Sequence, residues 1–553
     1  MRSVDAGWAA RDDCEKMTTS AKASGPEARR IRNVFNVCLK RYFTGKRDEK
    51  RKVVRLSSAG AIALAGVVMF ALLTSNLGSL AAESESYPSG RDLAQKYCTA
   101  CHVFPEQTLL DKATWKNAAL PLMRTRLGID QFDAVNPQQK IALNEWDSIC
   151  KYYLDAAPEK AIPQPPREKI QMGLKQFEVV NPGYRPGKRY VTMLSIDEAS
   201  HQIYVGNADT KTLDTLDADG HLLASLPVES PPVALIKGSS GWICTLIGRV
   251  PPHDQKLGKV ILLEKSGAQF TQKATLLSDL ARPSDCVPMD VNGDGREDLI
   301  VSAFGNILGS FSWYENLGGG RYAERVLLDR PGALRCELRD FDGDGRKDLA
   351  VLMAQGREGF NVLFNEGGGR FSALEAIQQP PTWGYAGFQL ADFDGDGHID
   401  LVTANGDNGE YPSCLKGYHG VRVYLNRGQA GFKESFFYPI NGAFCVGVRD
   451  FDHDGDLDIA CAAYFPDYAG SPEESFVFLE NLGGLRFRPY SFPEAPMGRW
   501  LVMATGDIDG DGFADIVLGA ANRTPYGVPK ELNARWEREG PSILILKNRG
   551  PRK

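Results

Sequence analysis

Short apolar runs alternate with turn-forming residues from about residue 171 to the end of the chain. The runs are rich in Val, Ile, Leu and Tyr, and Gly, Asp, Asn and Pro separate them, which predicts β-strands joined by tight turns. Upstream, apolar positions recur at helical spacing in 90–97 and 138–154, which predicts two amphipathic helices. The pattern therefore predicts a small all-α domain followed by a large β domain.

The turns of the β region contain a repeated acidic pattern, with side-chain oxygens at positions 1, 3, 5 and 9 and glycines between them. The five copies are Asp290-Asn292-Asp294-Asp298, Asp340-Asp342-Asp344-Asp348, Asp392-Asp394-Asp396-Asp400, Asp450-Asp452-Asp454-Asp458 and Asp507-Asp509-Asp511-Asp515. Carboxylates this close repel one another unless a cation neutralises them, and such oxygen ligands suit Ca²⁺. Strand-like residues follow each loop, so the pattern is not an EF-hand.

A second signature keeps step with the acidic loops, whose starts lie 50, 52, 58 and 57 residues apart. It runs from Asn through Gly to an aromatic residue, in 316–322, 365–371, 426–432 and 481–487. We expect its Asn and Gly to supply the positive-φ residues of a hairpin. Repeats of this length with four strands each predict propeller blades.

These repeats, over roughly 280–550, resemble the FG-GAP/VCBS family found in the propellers of integrin α-subunits. The resemblance implies about five structural Ca²⁺ ions, held by the loop side chains given above. It also implies one backbone carbonyl ligand per loop, from Arg296, Arg346, His398, Asp456 and Phe513. The family's Phe-Gly and Gly-Ala-Pro signatures are only partly present, as in Phe304-Gly305 and Gly519-Ala520-Ala521.

Residues 189–280 fit two further repeats without acidic loops, which makes seven blades of about 52 residues within 171–553. The last repeat ends near Gly550 without its final strand, and 173–180 resembles that missing strand. We expect this segment to pair with the seventh blade and close the ring. The expected fold is therefore mainly β, a seven-bladed β-propeller with a small all-α domain.

The N-terminal 55 residues are basic, with 15 Lys and Arg against 7 Asp and Glu. An apolar segment follows, at 56–82, and ends in small residues, which predicts a signal or signal-anchor helix. Either the true start lies downstream, for example at Met17, or the segment is an uncleaved anchor in the inner membrane. Both readings place the remaining chain in the periplasm or at the cell surface.

The segment Cys98-Thr99-Ala100-Cys101-His102 is C-x-x-C-H, the attachment signature of a c-type haem. Two thiols a helical turn apart can form thioethers to the haem, and the adjacent histidine can reach the iron. A zinc half-site would need two further ligands, and 103–160 offers only Cys150 and no histidine. A redox C-x-x-C would need a βαβ context, which is absent.

Residues 87–158 resemble a small class I cytochrome c domain. The resemblance implies covalent haem c held by Cys98 and Cys101, with His102 as the proximal ligand. Such domains take a distal methionine, and Met123 is the candidate, although its distance from the motif is short for the family. It could instead be a core residue, and Met172 is the reserve ligand.

A Pro-rich linker at 159–170 joins the two domains. Insertions around 405–420, 464–475 and 520–540 are expected on one propeller face, where a ligand is usually held. The residues before the acidic loops either line an axial funnel or pack the innermost strands: Arg335, Glu337, Trp383, Tyr385, Arg499 and Trp500. Cys286 and Cys336 hold equivalent places in adjacent repeats and could pair; buried free thiols are the alternative.

The net charge of -6 becomes -14 once the +8 of residues 1–55 is set aside, and an acidic body argues against nucleic-acid binding. We therefore expect an exported electron-transfer protein whose propeller docks a redox partner or an extracellular ligand. One alternative is a propeller-based oxidoreductase with a haem acceptor, similar to quinohaemoprotein dehydrogenases. Another is an adhesion or carbohydrate-binding protein in which Trp383 and Trp500 stack on sugars. No catalytic triad stands out, so no catalytic residue is assigned.

Overall fold

The helical part of the chain begins with a capping box. In the computed structural model, which describes residues 88–129, 141–409, 414–522 and 528–551, the Asp92 N–H donates to the Ser89 hydroxyl at 3.2 Å. The Ser89 N–H donates back to the Asp92 carboxylate at 3.2 Å, so both donors at the helix start are satisfied. The helices are α1 (Gly90–Cys98), α2 (Lys112–Thr114), a π-helical turn (Trp115–Ala119), α3 (Leu120–Arg126), α4 (Leu143–Ala156) and, much later, α5 (Lys530–Glu539). Short 3₁₀ turns lie at Gln107–Leu109, Pro472–Ser475 and Ala495–Met497.

Helices α1 and α4 meet at Gly90. A Cβ at this position would lie 2.8 Å from the Cβ of Tyr152 and would overlap the Ser148 carbonyl, so only glycine permits the approach. Below the contact, Leu93 and Tyr153 are 1% exposed and belong to one apolar cluster. The two predicted helices are therefore packed directly on each other. The sequence pattern did not predict the helical segment from α2 to α3 between them.

The β part consists of seven sheets. The first blade is β3 (Val191–Asp197), β4 (Gln202–Asn207), β5 (Thr212–Leu216) and β6 (Leu222–Pro227), and the second is β7 (Pro232–Gly238), β8 (Gly241–Leu246), β9 (Gly258–Ser266) and β10 (Gln269–Leu280). The third is β11 (Pro283–Met289), β12 (Asp298–Ala303), β13 (Ser310–Asn316) and β14 (Tyr322–Leu328), and the fourth is β15 (Ala333–Arg339), β16 (Asp348–Met353), β17 (Glu358–Gly367) and β18 (Arg370–Gln379). The fifth is β19 (Tyr385–Ala391), β20 (Asp400–Asn405), β21 (Gly420–Asn426) and β22 (Phe432–Pro439). The sixth is β23 (Ala443–Arg449), β24 (Asp458–Ala463), β25 (Phe476–Asn481) and β26 (Phe487–Ser491), and the seventh holds β27 (Trp500–Gly506), β28 (Asp515–Ala520) and β29 (Ile543–Asn548).

Two short strands from the segment before the first blade complete this arrangement. Strand β2 (Phe177–Val180) is antiparallel to β29 and forms the outermost strand of the seventh blade, with Phe177 opposite Asn548. The pairing predicted for 173–180 is therefore present, and it closes the ring. Strand β1 (Gln171–Met172) adds in parallel to β26 of the sixth blade, which the sequence did not indicate.

The apolar core of the propeller lies between the blades. Seven buried clusters are each formed mainly by two neighbouring blades, and one of them spans the junction of the seventh blade with the first. The second strand of each of the last five blades is buried along its whole length, with both faces covered. A single blade cannot bury these faces alone, so each blade depends on its neighbours for stability.

The connecting segment is fixed to the propeller rather than extended into solvent. The Arg167 guanidinium pairs with Glu474, which is fully buried, and donates to the Pro439 carbonyl. The Tyr438 hydroxyl donates to the Glu168 carbonyl at 2.9 Å. The Pro-rich linker therefore has a defined path along the fifth and sixth blades.

The predicted membrane or signal helix at 56–82 and the basic segment 1–55 lie outside the described residues. Within the described ranges, no helix has the length and apolar character needed to cross a membrane.

Candidate functional site

The C-x-x-C-H motif forms a tight turn at the end of α1. Cys98 is the last residue of the helix, and the N–H groups of Cys101 and His102 both donate to its carbonyl at 3.4 Å. The Cys101 side chain is exposed, whereas Cys98 packs against the apolar cluster of the helical domain. The two thiols and the imidazole are therefore presented from one turn of backbone.

His102 is buried, at 8% exposure, and its Nδ1 lies 2.9 Å from the Val103 carbonyl oxygen. Nδ1 is therefore the protonated nitrogen, and Nε2 has no hydrogen-bond partner among the described residues. Burial lowers the pKa of His102, against the raising effect of the Val103 carbonyl. The imidazole is thus held neutral with one nitrogen lone pair available, the form that binds a metal.

The buried thiol of the motif, Cys98, is not activated. Burial raises the pKa of the Cys98 thiol to about 11, although a hydrogen bond with Tyr153 opposes the shift. A redox C-x-x-C pair needs a lowered thiol pKa, so this environment disfavours a thioredoxin-like reaction. The groups of three or more potential metal ligands found among the described residues lie in the acidic loops.

Met123 lies on α3 and is half-buried against the same apolar cluster as Cys98 and Phe104. Its role as the sixth ligand stays a prediction. The reserve ligand Met172 is 56% exposed in β1, at the outer edge of the sixth blade.

The acidic loops all connect the first to the second strand of a blade. In four of them, three carboxylate groups bring one oxygen each within 4.8 Å of one another. These sets are Asp340, Asp342 and Asp344; Asp392, Asp394 and Asp400; Asp450, Asp452 and Asp454; and Asp507, Asp509 and Asp511. In the remaining loop, position 3 is Asn292, whose amide donates to Asp294 at 3.1 Å.

The loop backbone is folded around the first carboxylate. In the fourth blade, the Gly343 N–H donates to Asp340 at 2.8 Å and the Gly345 N–H donates to its other oxygen at 2.9 Å. The position-7 N–H then donates to the position-5 carboxylate, at 2.8 Å from Arg346 to Asp344. The same bond occurs in the other four loops, so the backbone of every position-7 residue is folded back onto its loop. Ligation by their carbonyls stays a prediction.

The position-9 aspartates have a structural role that the sequence did not reveal. Asp348 is fully buried, and its two oxygens accept the N–H of Phe341 at 2.9 Å and the N–H of Asn365 at 2.8 Å. The corresponding pairs of bonds occur at Asp298, Asp400, Asp458 and Asp515. In the third to sixth blades, each of these residues therefore ties an acidic loop to the hairpin between the third and fourth strands. In the seventh blade, Asp515 ties its loop to Asn548 at the end of β29.

The expectation that Asn supplies a positive-φ residue of these hairpins is wrong. The positive-φ positions are glycines and the residues Gln429, Ala430 and Leu485. Asn365 instead lies near the end of β17, and its side chain donates to the Lys347 carbonyl at 3.2 Å and accepts the Gly367 N–H at 2.9 Å. Asn is selected because its amide both donates and accepts, which fixes the hairpin against the acidic loop.

The acidic loops concentrate negative charge, which burial and nearby arginines partly offset. Burial raises the pKa of Asp458 to about 8 and that of Asp515 to about 7, against the lowering effect of the backbone N–H groups. Arginines pair with four loops, through Arg296, Arg346, Arg427 and Arg549. In the described structure no such pair reaches the loop from Asp450 to Asp458, where a bound cation would offset the charge of the carboxylates.

The three insertions connect the second to the third strand of the last three blades. They lie at the end opposite the acidic loops, because successive strands of a blade are antiparallel. We call this end the insertion face. The predicted common face is thus observed.

Most of the predicted funnel residues pack within the blades. Trp500 is fully buried and donates to the Ala495 carbonyl at 2.8 Å, and Tyr385 and Arg499 are 1% and 2% exposed. Trp383 is half-buried, with its ring stacked on Tyr418 at 5.0 Å. The expectation that Trp383 and Trp500 stack on sugars is therefore wrong for Trp500, which has no free face.

Arg335 is different, since half of its side chain is exposed on the innermost strand of the fourth blade. Its guanidinium lies 3.7 Å from Glu337, and Arg339 lies 3.2 Å from the same carboxylate. Cys286 and Cys336 are buried free thiols, as are the other buried cysteines among the described residues.

The fold and the loops together define a seven-bladed β-propeller with FG-GAP repeats. The FG-GAP-like repeat family matches residues 290–351 and 340–403, and the FG-GAP repeat family matches 500–530. These matches cover the acidic loops of the third, fourth, fifth and seventh blades.

The chain is similar to integrin α-subunits. It is 23% identical to integrin alpha-V of Gallus gallus over 259 residues, which are 38% of this chain and 24% of that protein. It is 31% and 29% identical to integrins alpha-PS5 and alpha-PS3 of Drosophila melanogaster, over 25% of this chain and 15% and 14% of those proteins. The similarity thus spans about a quarter of these relatives or less.

Among solved structures, the chain is similar to the WD40 domain of Neurospora crassa Pan2 and to the WD40 repeats of RRP9. Both alignments have a TM-score of 0.41, at 10% and 12% identity. They cover 69% of this chain and 98% and 100% of those chains.

Proposed function

We propose that the protein is an exported c-type haem protein that transfers single electrons through its helical domain, while its propeller docks a redox partner or an extracellular ligand. The observation that carries the proposal is the turn of Cys98, Cys101 and His102 at the end of α1. It offers two thiols and a neutral imidazole with one unpaired nitrogen. Export is supported by the sequence of residues 56–82.

The residues of the helical domain fit a haem group. Cys98 and Cys101 would hold it covalently, His102 would be the proximal ligand through Nε2, and Met123 is the candidate for the sixth position. The group supplies one-electron chemistry when bound. The Val103 carbonyl fixes the imidazole tautomer, and the apolar cluster around Trp115 and Tyr153 keeps water from the buried side of the motif.

The test is expression in a bacterial periplasm with haem maturation, followed by haem staining of the denatured protein. We expect covalent haem in the natural chain and none in the variant with Cys98→Ser and Cys101→Ser. Cys150→Ser is the matched control, because this thiol is half-buried in the same domain but outside the motif. Met123→Leu should keep the covalent haem and change the spectrum of the oxidised iron. Absence of covalent haem from the natural chain would overturn the proposal.

The acidic loops are proposed to hold structural Ca²⁺, about five ions, which would rigidify the turns between the first and second strands. The support is the convergence of carboxylate oxygens in four loops and the similarity to FG-GAP repeats. The ions would offset charge repulsion in the loops and would not take part in electron transfer.

Chelation of calcium is expected to lower the melting temperature of the protein before it changes the haem spectrum. Each loop should contribute about 2.7 kcal/mol when free calcium is a hundredfold above its dissociation constant. Asp452→Ala should remove one bound ion, counted by metal analysis. Asp329→Ala, an exposed aspartate outside the loops, should leave the count unchanged. An equal melting temperature with and without chelator would argue against structural calcium.

A further inference from the structure

The helical domain is docked on the insertion face of the propeller. The Tyr418 hydroxyl donates to the Leu109 carbonyl at 3.1 Å, and the Cys414 thiol donates to the Asp111 carboxylate at 3.1 Å. Cys414 is 2% exposed and belongs to the apolar cluster of the helical domain. The fifth blade therefore supplies part of the core that supports the C-x-x-C-H turn.

The motif itself lies against the fourth blade. A Cβ added at Gly356, in the connection between β16 and β17, would be 3.5 Å from the Cys101 carbonyl oxygen. The backbone of the second cysteine is thus in contact range of the propeller, while its side chain stays exposed. The space beside this thiol is bordered by the propeller as well as by the helical domain.

The connection between β12 and β13 in the third blade, which we call the tip, lies next to that contact. The Gln355 amide donates to the Asn306 carbonyl at 2.6 Å, which joins this tip to the loop of the fourth blade. The tip is also held by Asp254, which accepts the N–H of Ile307 at 2.6 Å and the N–H of Leu308 at 2.9 Å. The backbone at these two positions is therefore fixed.

The same tip exposes two adjacent large apolar side chains. Ile307 is 62% exposed and Leu308 is 49% exposed. Side chains of this kind, held out by a fixed backbone beside an interface, indicate a surface that something apolar covers.

The bond from Gln355 to Asn306 places this tip beside Gly356, which approaches the Cys101 carbonyl. The two exposed side chains therefore lie on the part of the propeller next to the C-x-x-C-H turn.

We infer that Ile307 and Leu308 are the propeller's wall of the haem pocket and cover the part of the haem that the helical domain leaves open. This inference rests on the proposed haem function. A haem held by the motif would then have the third and fourth blades beside it, and a partner bound at the insertion face would exchange electrons through these blades. The propeller would then form part of the haem site and take part in electron transfer.

The test compares two double variants of the full-length haem-loaded protein. Ile307→Ser with Leu308→Ser should admit water to the haem and favour its oxidised form, so the ratio of reduced to oxidised haem at a fixed solution potential should fall several-fold. Leu222→Ser with Leu223→Ser is the matched control, because this adjacent pair is 56% and 49% exposed and belongs to the outermost strand of the first blade. The control should titrate as the natural chain does.

Covalent haem content is measured first on all three proteins. If the natural chain carries no covalent haem, the proposed function fails. If haem is present and both double variants titrate as the natural chain does, the haem function stands and the wall assignment is overturned, which leaves the tip as a surface for a protein partner. The single variants Ile307→Ser and Leu308→Ser should each give part of the shift.

Discussion

Replacing Asp348 with alanine is expected to lower the free energy of unfolding by about 2 to 6 kcal/mol, whether or not calcium is present. The carboxylate is fully buried and accepts the N–H groups of Phe341 and Asn365. Removing it leaves two buried donors without partners, and each costs about 1 to 3 kcal/mol. The effect is on the fold, because the bonds connect an acidic loop to its hairpin independently of any ion.

Asp342→Ala is the variant that distinguishes an aspartate bonded to the backbone from an aspartate that only binds calcium. Asp342 is exposed in the same loop, so its loss removes a candidate calcium ligand and no buried backbone bond. We expect this variant to unfold as the natural chain does in chelator and to be less stable only in calcium. Urea unfolding followed by circular dichroism measures both variants in both buffers. A loss of stability for Asp348→Ala that is confined to calcium buffer would show that this residue is only a ligand.

The repeat could be predicted from sequence because its signal is local. Glycines between aspartates, followed by a buried strand such as Leu349–Leu352, require neither distant contacts nor partner residues to be recognised. The different roles of the aspartates in one loop could not be predicted from the sequence. Asp348 and Asp342 look alike in the sequence, and only the position of Asn365, 17 residues later, makes the first a backbone anchor.

The ring closure could also be predicted, since the seventh repeat lacks a strand that 173–180 resembles. The position of the C-x-x-C-H turn could not, because it depends on contacts between residues far apart in the chain. Nothing in the sequence around Gly356 indicates that it approaches Cys101, and nothing around Cys414 indicates that its thiol bonds to Asp111 of the helical domain. Such contacts depend on how the connections of neighbouring blades are arranged on the insertion face. They can therefore be recognised only in the tertiary structure.

The strand that closes the ring provides the second large effect. Phe177 is 5% exposed, and its ring lies 5.4 Å from Phe478 and 5.9 Å from Phe451, both in the sixth blade. Phe177→Ala is expected to cost about 3 to 5 kcal/mol, the usual range for removing a buried phenylalanine. The neighbouring Glu178→Ala is the matched control, because Glu178 is exposed and its ion pair in the described structure is with Arg549 at 3.1 Å. This exposed pair should contribute less than about 1 kcal/mol.

Deleting 171–181 should have a larger effect than either point substitution. It removes β1 and β2 together, leaves the outer edge of β29 without its ladder of backbone hydrogen bonds, and opens the ring at the seventh blade. Because each apolar cluster is built mainly from two blades, the opening should weaken the junctions on both sides of the seventh blade as well as the blade itself. An unpaired strand edge also favours association between chains. Size-exclusion chromatography should therefore show oligomers, and thermal unfolding should show a much lower midpoint. A monomer with an unchanged midpoint would contradict this prediction. It would mean that β27 to β29 and the contact between Tyr190 and Ala521 hold the ring closed without β2.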